Sequence, residues 1–141
     1  MATWQQFADS APDLAASVRA RFTATEHHVL ATLRRDGSPR VSGTEVDFAA
    51  EGRLRLGSMP DAVKGRDLKR DGRFALHANP GDGSMDGGDS KVSGIATAVP
   101  NEGSDLFDLD IREVVHTTVE DGQLRIRFWT PEAGLRDIWR K

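Results

Sequence analysis

The chain has 141 residues, of which 14 are glycine, 6% are aromatic and none is cysteine. This length is typical of one compact domain, residues 1–141, and the many glycines favour short strands and turns over a helix bundle. The absence of cysteine excludes disulfides, thiolate metal sites and cysteine nucleophiles. The net charge is −3 with both signs interspersed. We therefore expect no nucleic-acid partner, because phosphate backbones are bound by clustered Lys and Arg.

The first residues, Met1–Asp13, lack the basic region and following apolar run that a secretion signal requires. The longest apolar stretches are too short to cross a bilayer, so no membrane partner is expected. The sequence predicts a cytoplasmic protein.

The N-terminal segment carries a helical period. Apolar residues recur every four positions, which predicts a helix over 11–24. Ser10 and Asp13 have the spacing of a capping box at its start. The apolar residues of this helical face are Leu14, Val18 and Phe22.

The rest of the chain is dominated by strand signals, which are short apolar or β-branched runs bounded by turn residues. Pro60 suits the first turn of a short helix over 60–70, and a tail helix is expected over 131–141. The predicted strands are 28–34, 41–48, 53–57, 74–78, 92–99, 106–119 and 123–130. These elements predict a mainly β (α+β) fold, a barrel of six or so antiparallel strands with peripheral helices, because closure removes exposed sheet edges.

One corner of this predicted fold concentrates groups that bind phosphate. Ser58 follows a strand, and Lys64 lies one turn inside the helix that comes next. The free amides at the helix start, the Ser58 hydroxyl and the Lys64 ammonium can converge on one anion. A capped surface helix with a solvated lysine is the alternative that the pattern leaves open.

Several short motifs, in this order and spacing, resemble the pyridoxamine 5'-phosphate oxidase family. The opening hairpin over 29–42 is similar to that of the family. Gly57-Ser58 and the run 64–68 resemble its phosphate-binding strand and helix, and the run 91–94 resembles the strand that follows. Near the end of the chain, Phe128-Trp129 and Arg136 resemble the carboxy-terminal tryptophan and arginine of the family.

The resemblance implies a split β-barrel of the FMN-binding type, which pairs as a homodimer with the cofactor in the groove between subunits. It implies that Arg40, Ser58 and Lys64 contact the flavin phosphate. It also implies that Trp129 lies near the isoalloxazine bound by the partner subunit. FMN is the expected cofactor, and a deazaflavin coenzyme is the alternative.

The sequence departs from the family pattern at two places. Val63 stands where the family has a second basic residue, and the Arg-x-His ending that binds the vitamin substrate is absent. We therefore expect a flavin- or deazaflavin-dependent oxidoreductase acting on another small molecule. A non-catalytic flavin- or haem-binding carrier or sensor is the alternative, and no catalytic residue is identified.

No metal site is predicted. The run Asp82–Gly87 matches the first half of a calcium-binding loop, but Ser93 stands where the pattern requires a glutamate. The four histidines contain no pair at the tight spacing that ligands on one helix need. The segment 79–90, rich in Gly, Asp and Ser, is interpreted as an ordinary long loop.

Overall fold

A computed structural model describes residues 1–49 and 51–141. Within these residues the chain forms nine strands and three helices. The helices are α1 (Trp4–Ser10), α2 (Pro12–Thr23) and α3 (Val63–Arg70). The strands are β1 (His28–Leu33), β2 (Pro39–Thr44), β3 (Val46–Ala49), β4 (Arg53–Ser58), β5 (Arg73–His77), β6 (Asp89–Val99), β7 (Asp105–Glu120), β8 (Gln123–Thr130) and β9 (Gly134–Arg140). No helix in these residues is long and apolar enough to cross a membrane.

All nine strands belong to one antiparallel sheet in which β6 and β7 form the central ribbon. Strand β7 is long enough to pair with two further strands, β4 along its first half and β8 along its second. The path runs β2-β1-β5-β6-β7-β4-β3, and the hairpin β8-β9 continues from β7. The mainly β class with peripheral helices is confirmed.

The expected barrel of six or so strands is not confirmed. The seven strand segments predicted from the sequence become nine strands in an open path among the described residues, for two physical reasons. The single strand predicted over 41–48 breaks at Glu45 into β2 and β3, which pair with different neighbours. The tail helix predicted over 131–141 is instead strand β9, which extends the sheet beside β8. Its side chains alternate between the two sheet faces, and Arg125 of β8 binds Asp137 across the pair at 2.8 Å (Nη2 to Oδ2).

Two helix starts also differ from the sequence pattern. The capping box lies at Thr3 and Gln6, whose side chains and backbone amides bond reciprocally. Helix α2 begins with Pro12 and has no side-chain cap. The Ser10 hydroxyl instead accepts a hydrogen bond from Trp129 Nε1. Helix α3 begins at Val63, because Pro60 lies in a turn that precedes it.

Helices α1 and α2 cover one face of the sheet and bury the main apolar core. Phe7 and Val18 of these helices and Phe107 and Ile111 of β7 are all fully buried. Burying a side chain of this size contributes roughly 1.5–3 kcal/mol. On the opposite face of β7, β8 and β9 the described residues place no helix, and apolar residues such as Ile138 stay partly exposed.

A buried carboxylate ties α3 to the first hairpin. Asp67 is 2% exposed. Its Oδ2 accepts hydrogen bonds from Thr32 Oγ1 of β1 and Arg40 Nε of β2, both at 2.8 Å. Its Oδ1 accepts from Arg70 Nη2 at 2.9 Å. Burial raises the pKa of Asp67, but the hydrogen bonds from Arg40, Thr32 and Arg70 outweigh it and the net shift is downward.

Gly94 marks the place where β6 and β7 approach most closely. The register between them shifts at Ser93/Gly94, and a Cβ on Gly94 would lie 1.8 Å from the backbone oxygen of Asp110. Because the added Cβ would clash with the backbone of β7, neither strand can move aside without disrupting the pairing of β6 with β7. We predict that Gly94→Ala lowers the free energy of unfolding by about 3 kcal/mol or more, measured by urea denaturation. Gly83→Ala, where nothing lies within 4 Å of the added Cβ, should change it little, and equal losses would contradict this explanation.

Replacing Asp67 tests the link between α3 and the hairpin. Asp67→Asn should lower the free energy of unfolding at pH 7 by about 2–3 kcal/mol, because three hydrogen bonds lose their charged acceptor. The folded-state pKa of Asp67 lies below the ordinary value of 3.8. The advantage of the parent over the variant is therefore complete above that pH and is lost as the pH falls through the folded-state pKa. Urea denaturation between pH 7 and pH 3 measures both effects, with Asp121→Asn in the exposed hairpin turn as the control.

Candidate functional site

A cavity of about 750 Å³ lies in contact with the predicted corner. It lies where β4 ends and α3 begins, and β2, β3 and the start of β7 complete its walls. Ser58 and Lys64 both line it. Its apolar wall is formed by Val46, Leu56 and Leu106. A volume of this size suits a cofactor-sized ligand.

Lys64 is half-buried at the edge of this cavity. Its Nζ donates one hydrogen bond to the backbone oxygen of Gly43 at 2.9 Å. Burial lowers the pKa of Lys64, and the carboxylate of Glu45 opposes this shift. An ammonium group has three donors, so a ligand can accept from those that Gly43 does not use.

Ser58 is only 5% exposed, and its hydroxyl donates to the backbone oxygen of Met59 at 3.1 Å. Helix α3 lies directly against it, because Gly65 has no side chain. A Cβ on Gly65 would lie 3.2 Å from Ser58 Oγ and 3.3 Å from Asp105 Oδ2. The carboxylate of Asp105 is itself paired with Lys69 at 2.9 Å. The first turn of α3 and Ser58 therefore form one wall of the cavity.

Arg40 is not in this cavity. Its guanidinium points to Asp67 on the other side of α3 and lines a separate, strongly basic cleft of about 800 Å³. The predicted trio of Arg40, Ser58 and Lys64 is thus divided between two neighbouring sites. Sequence order places Arg40 correctly on β2, but only the packing of α3 shows which way its side chain turns.

Trp129 lies in the core of the chain. It is 2% exposed, its ring centroid is 4.8 Å from that of Phe7, and its Nε1 donates to Ser10 Oγ at 2.9 Å. The alternation of β8 puts Trp129 on the same face as Arg125 and Arg127. From the sequence alone, two arginines on one face indicate that it is exposed. In the structure it is the inner face, under α1 and α2.

One group of possible metal ligands lies beside the cavity. Side-chain atoms of Glu26, His27 and Glu45 lie within 4.8 Å of one another, and all three residues are exposed. Exposed acidic groups gather in this way on many surfaces, so the cluster does not by itself indicate a metal.

Comparisons with known proteins give a consistent result at the level of structure. No family model matches the sequence, and no curated protein matches it. A pyridoxamine 5'-phosphate oxidase-related, FMN-binding protein from Nostoc punctiforme superposes with a TM-score of 0.69 at 10% identity, covering 93% of this chain and 96% of the other. PhzG from Burkholderia lata, solved with tetrahydrophenazine-1-carboxylic acid, gives 0.70 at 12% identity, covering 98% and 93%.

Two further solved structures extend the range of ligands found on this architecture. A haem-binding protein from Mycobacterium smegmatis gives a TM-score of 0.53 at 14% identity, covering 89% of this chain and 87% of the other. An F420 reductase gives 0.52 at 18% identity, covering 61% and 86%. Identities this low establish architecture, which is what the sequence motifs predicted. The chain has the fold of the pyridoxamine 5'-phosphate oxidase-like, FMN-binding proteins.

Proposed function

We propose that this protein is a flavin-dependent oxidoreductase that binds FMN in the cavity lined by Ser58 and Lys64. The observation that carries the proposal is the half-buried Lys64, whose ammonium borders a cavity of about 750 Å³. On a fold shared with an FMN-binding protein, this is where a cofactor phosphate has both a cation and the first turn of a helix to bind. When bound, the flavin would supply the hydride chemistry.

The residues present fit a phosphate in two respects. Lys64 adds a charge-assisted hydrogen bond in a partly dry environment, where such bonds are stronger than in water. Helix-start amides of α3 add donors and a favourable dipole. Of the acidic groups near this corner, Asp105 is paired with Lys69 and opposes an anion less, while Glu45 and Asp47 line the cavity and are the carboxylates that a bound phosphate would have to avoid.

The chain's own residues would bind and orient the cofactor rather than take part in proton transfer. The apolar wall of Val46, Leu56 and Leu106 would exclude water from one side of a flat ring. We therefore assign no catalytic acid or base. The proposed substrate is a small molecule, with no narrower class assigned.

FMN is preferred to a deazaflavin because the relatives that cover nearly all of both chains include an FMN-binding protein. The F420 reductase matches a smaller part of this chain. Both cofactors present a phosphate to the same corner, so Lys64 does not distinguish them.

A second candidate function is a carrier or sensor of flavin or haem. The observation that favours it is His27, an exposed imidazole on the wall of the same cavity, since imidazole is a common haem ligand. The structural likeness to a haem-binding protein supports the same possibility. The absorption spectrum of the purified protein separates haem from flavin, and turnover with a reductant separates carrier from enzyme.

We further propose that a second copy of the chain covers the apolar outer face of β7, β8 and β9. Val119, Leu124 and Ile138 on this face are 52%, 39% and 40% exposed. Cross-strand register puts Thr117, Ile126 and Ile138 side by side, so the apolar residues form one continuous surface. A stable interface buries on the order of 1,600 Å² in total.

Removing the proposed phosphate ligands tests the cofactor site. Lys64→Ala should weaken FMN binding by about ten- to a hundredfold, since it removes one charge-assisted bond of roughly 1.5–3 kcal/mol. Ser58→Ala should weaken it by only about fivefold, because helix-start amides still donate. Fluorescence titration of the apo-protein with FMN and with a deazaflavin measures both variants and the preference between cofactors.

The matched control is Arg66→Ala. Arg66 lies on the same helix and has the same charge, but it lines the neighbouring basic cleft, so its removal should leave FMN affinity nearly unchanged. If Lys64→Ala binds FMN as tightly as the parent, the site is wrong. If Arg66→Ala weakens binding as much as Lys64→Ala, only the general charge of α3 matters.

The oligomer is tested by two substitutions on strand β9. Ile138→Glu places a charge on the proposed interface and should convert a dimer into a monomer of 15.4 kDa in sedimentation at micromolar concentration. Leu135→Glu changes an equally exposed residue that points to the opposite sheet face, and should leave the dimer intact. A monomeric parent, or dissociation by Leu135→Glu alone, would contradict the proposed interface.

A further inference from the structure

A further cavity, open to solvent, lies between α2, the loop over 79–88 and the strands β7 and β8. Its volume is about 470 Å³, and we refer to it as the α2 cavity. It shares no lining residue with the cavity of Ser58 and Lys64. The side chains used in the argument below are Ser17, Arg21, Asp86, His116 and Arg127.

Among the described residues, Arg127 is a buried cation that forms no salt bridge, although the carboxylates of Glu120, Asp137 and Asp13 act on it from farther away. It is 8% exposed, and its Nε has no hydrogen-bond partner within residues 1–49 and 51–141. Its one hydrogen bond is long, from Nη2 to Ser17 Oγ at 3.4 Å. Burial lowers the pKa of Arg127, but a guanidinium stays protonated at neutral pH. An uncompensated buried charge of this kind costs several kcal/mol, so its position needs an explanation.

Arg21 brings a second guanidinium to the same cavity. Its Nη1 donates to the backbone oxygen of Asp86 at 3.0 Å and its Nη2 to the backbone oxygen of Pro80. Its Nε, like that of Arg127, is buried and has no partner in the described part of the chain. The loop is shaped around this side chain, since a Cβ on Gly81 would lie 2.8 Å from Arg21 Nη2.

Of the three carboxylates that act on Arg127, Glu120 and Asp137 are engaged by other groups, and none of the three lines the α2 cavity. Arg125 binds Asp137 and also Glu120, which in addition accepts from Thr118. Among the described residues, neither Arg21 nor Arg127 forms a salt bridge. Asp86 lies at the exposed rim, where its backbone oxygen meets Arg21. The cavity is therefore positively charged.

His116 forms the floor of this cavity and adds no charge to it. It is 1% exposed, and its Nδ1 lies 2.6 Å from Ser90 Oγ. Burial, together with the charges of Arg127 and Arg21, lowers the pKa of His116 to about 4. The imidazole is neutral at pH 7, so the two guanidinium groups set the polarity.

We propose that the α2 cavity binds the carboxylate or phosphate group of a small molecule, with Arg127 and Arg21 as its ligands. A planar guanidinium recognises either group through two parallel N–H donors. Both guanidinium groups line the cavity; their Nε–H groups are buried and have no partner among the described residues, so a small rotation of either side chain would let them donate to such an anion. The site is independent of the cofactor phosphate proposed at Lys64.

The experiment measures the melting temperature of the protein in chloride, inorganic phosphate and acetate at one ionic strength. Phosphate or acetate at about ten times its dissociation constant should raise the melting temperature of the parent by about 5 °C. The relative size of the two increases tells whether the cavity prefers phosphate or carboxylate. Neither increase should appear in Arg127→Met, whose melting temperature in chloride should equal or exceed that of the parent because a buried charge is gone.

Two control variants separate this cavity from other anion sites. Lys64→Ala should keep the full increase, because it removes a ligand of the other cavity. Arg112→Met removes an exposed arginine of the same strand β7 and should also keep it. A second readout in the parent is the ¹⁵N NMR signals of the arginine Nε–H groups, of which those of Arg21 and Arg127 should shift on addition of phosphate.

Three results would overturn the proposal. One is a parent protein whose melting temperature and arginine Nε–H signals do not change when either anion is added. Another is an increase that survives in Arg127→Met but disappears in Lys64→Ala, which would place the anion at the proposed cofactor site. The third is an Asp86→Asn variant that loses much of its stability in chloride, while the parent responds to neither anion. That result would make Asp86 the internal counterion. Should Arg127→Met fail to fold, Arg21→Gln and the NMR titration give the same decision.

Discussion

The carboxylate of Asp67 is the interaction on which the arrangement of the candidate site depends. It is buried and accepts from three side chains on three elements, β1, β2 and α3. Because a buried carboxylate is stable only when its acceptors are satisfied, these bonds fix α3 against the first hairpin. That placement brings Lys64 over Gly43 at the edge of the cavity. It also draws Arg40 away from the cavity, since the same bond that anchors the helix uses the Arg40 guanidinium.

Two buried charges in this protein are treated in opposite ways. Asp67 is surrounded by donors that the chain itself supplies, so it stabilises the fold and needs no ligand. Arg127 is nearly as buried, yet its Nε has no partner in the described residues. The first charge therefore has a structural role, and the second is the one for which we propose a ligand. This difference between Asp67 and Arg127 is the reason that we propose the α2 cavity as a ligand site.

The sheet itself explains why one subunit has both a covered and an uncovered face. Helices α1 and α2 pack on the inner face and bury Trp4, Phe7 and Val18. In the described part of the chain no helix lies on the outer face of β7, β8 and β9, although its residues are largely apolar. This is the face on which we propose that a second copy of the chain packs.

The sequence by itself determined the mainly β fold, most of the strands and the corner formed by Ser58 and Lys64, because these depend on local periodicity and turn residues. It did not determine the strand β9. The alternation of Leu135, Asp137 and Trp139 is recognised as a strand only because these residues pair with β8. The directions of Arg40 and Trp129 were likewise decided by tertiary structure. A strand pattern gives two faces but not which is buried, and here helices cover the face that carries Arg127 and Trp129. Burial of charge depends on partners distant in the chain, so the roles of Asp67 and Arg127 could be found only in the folded structure.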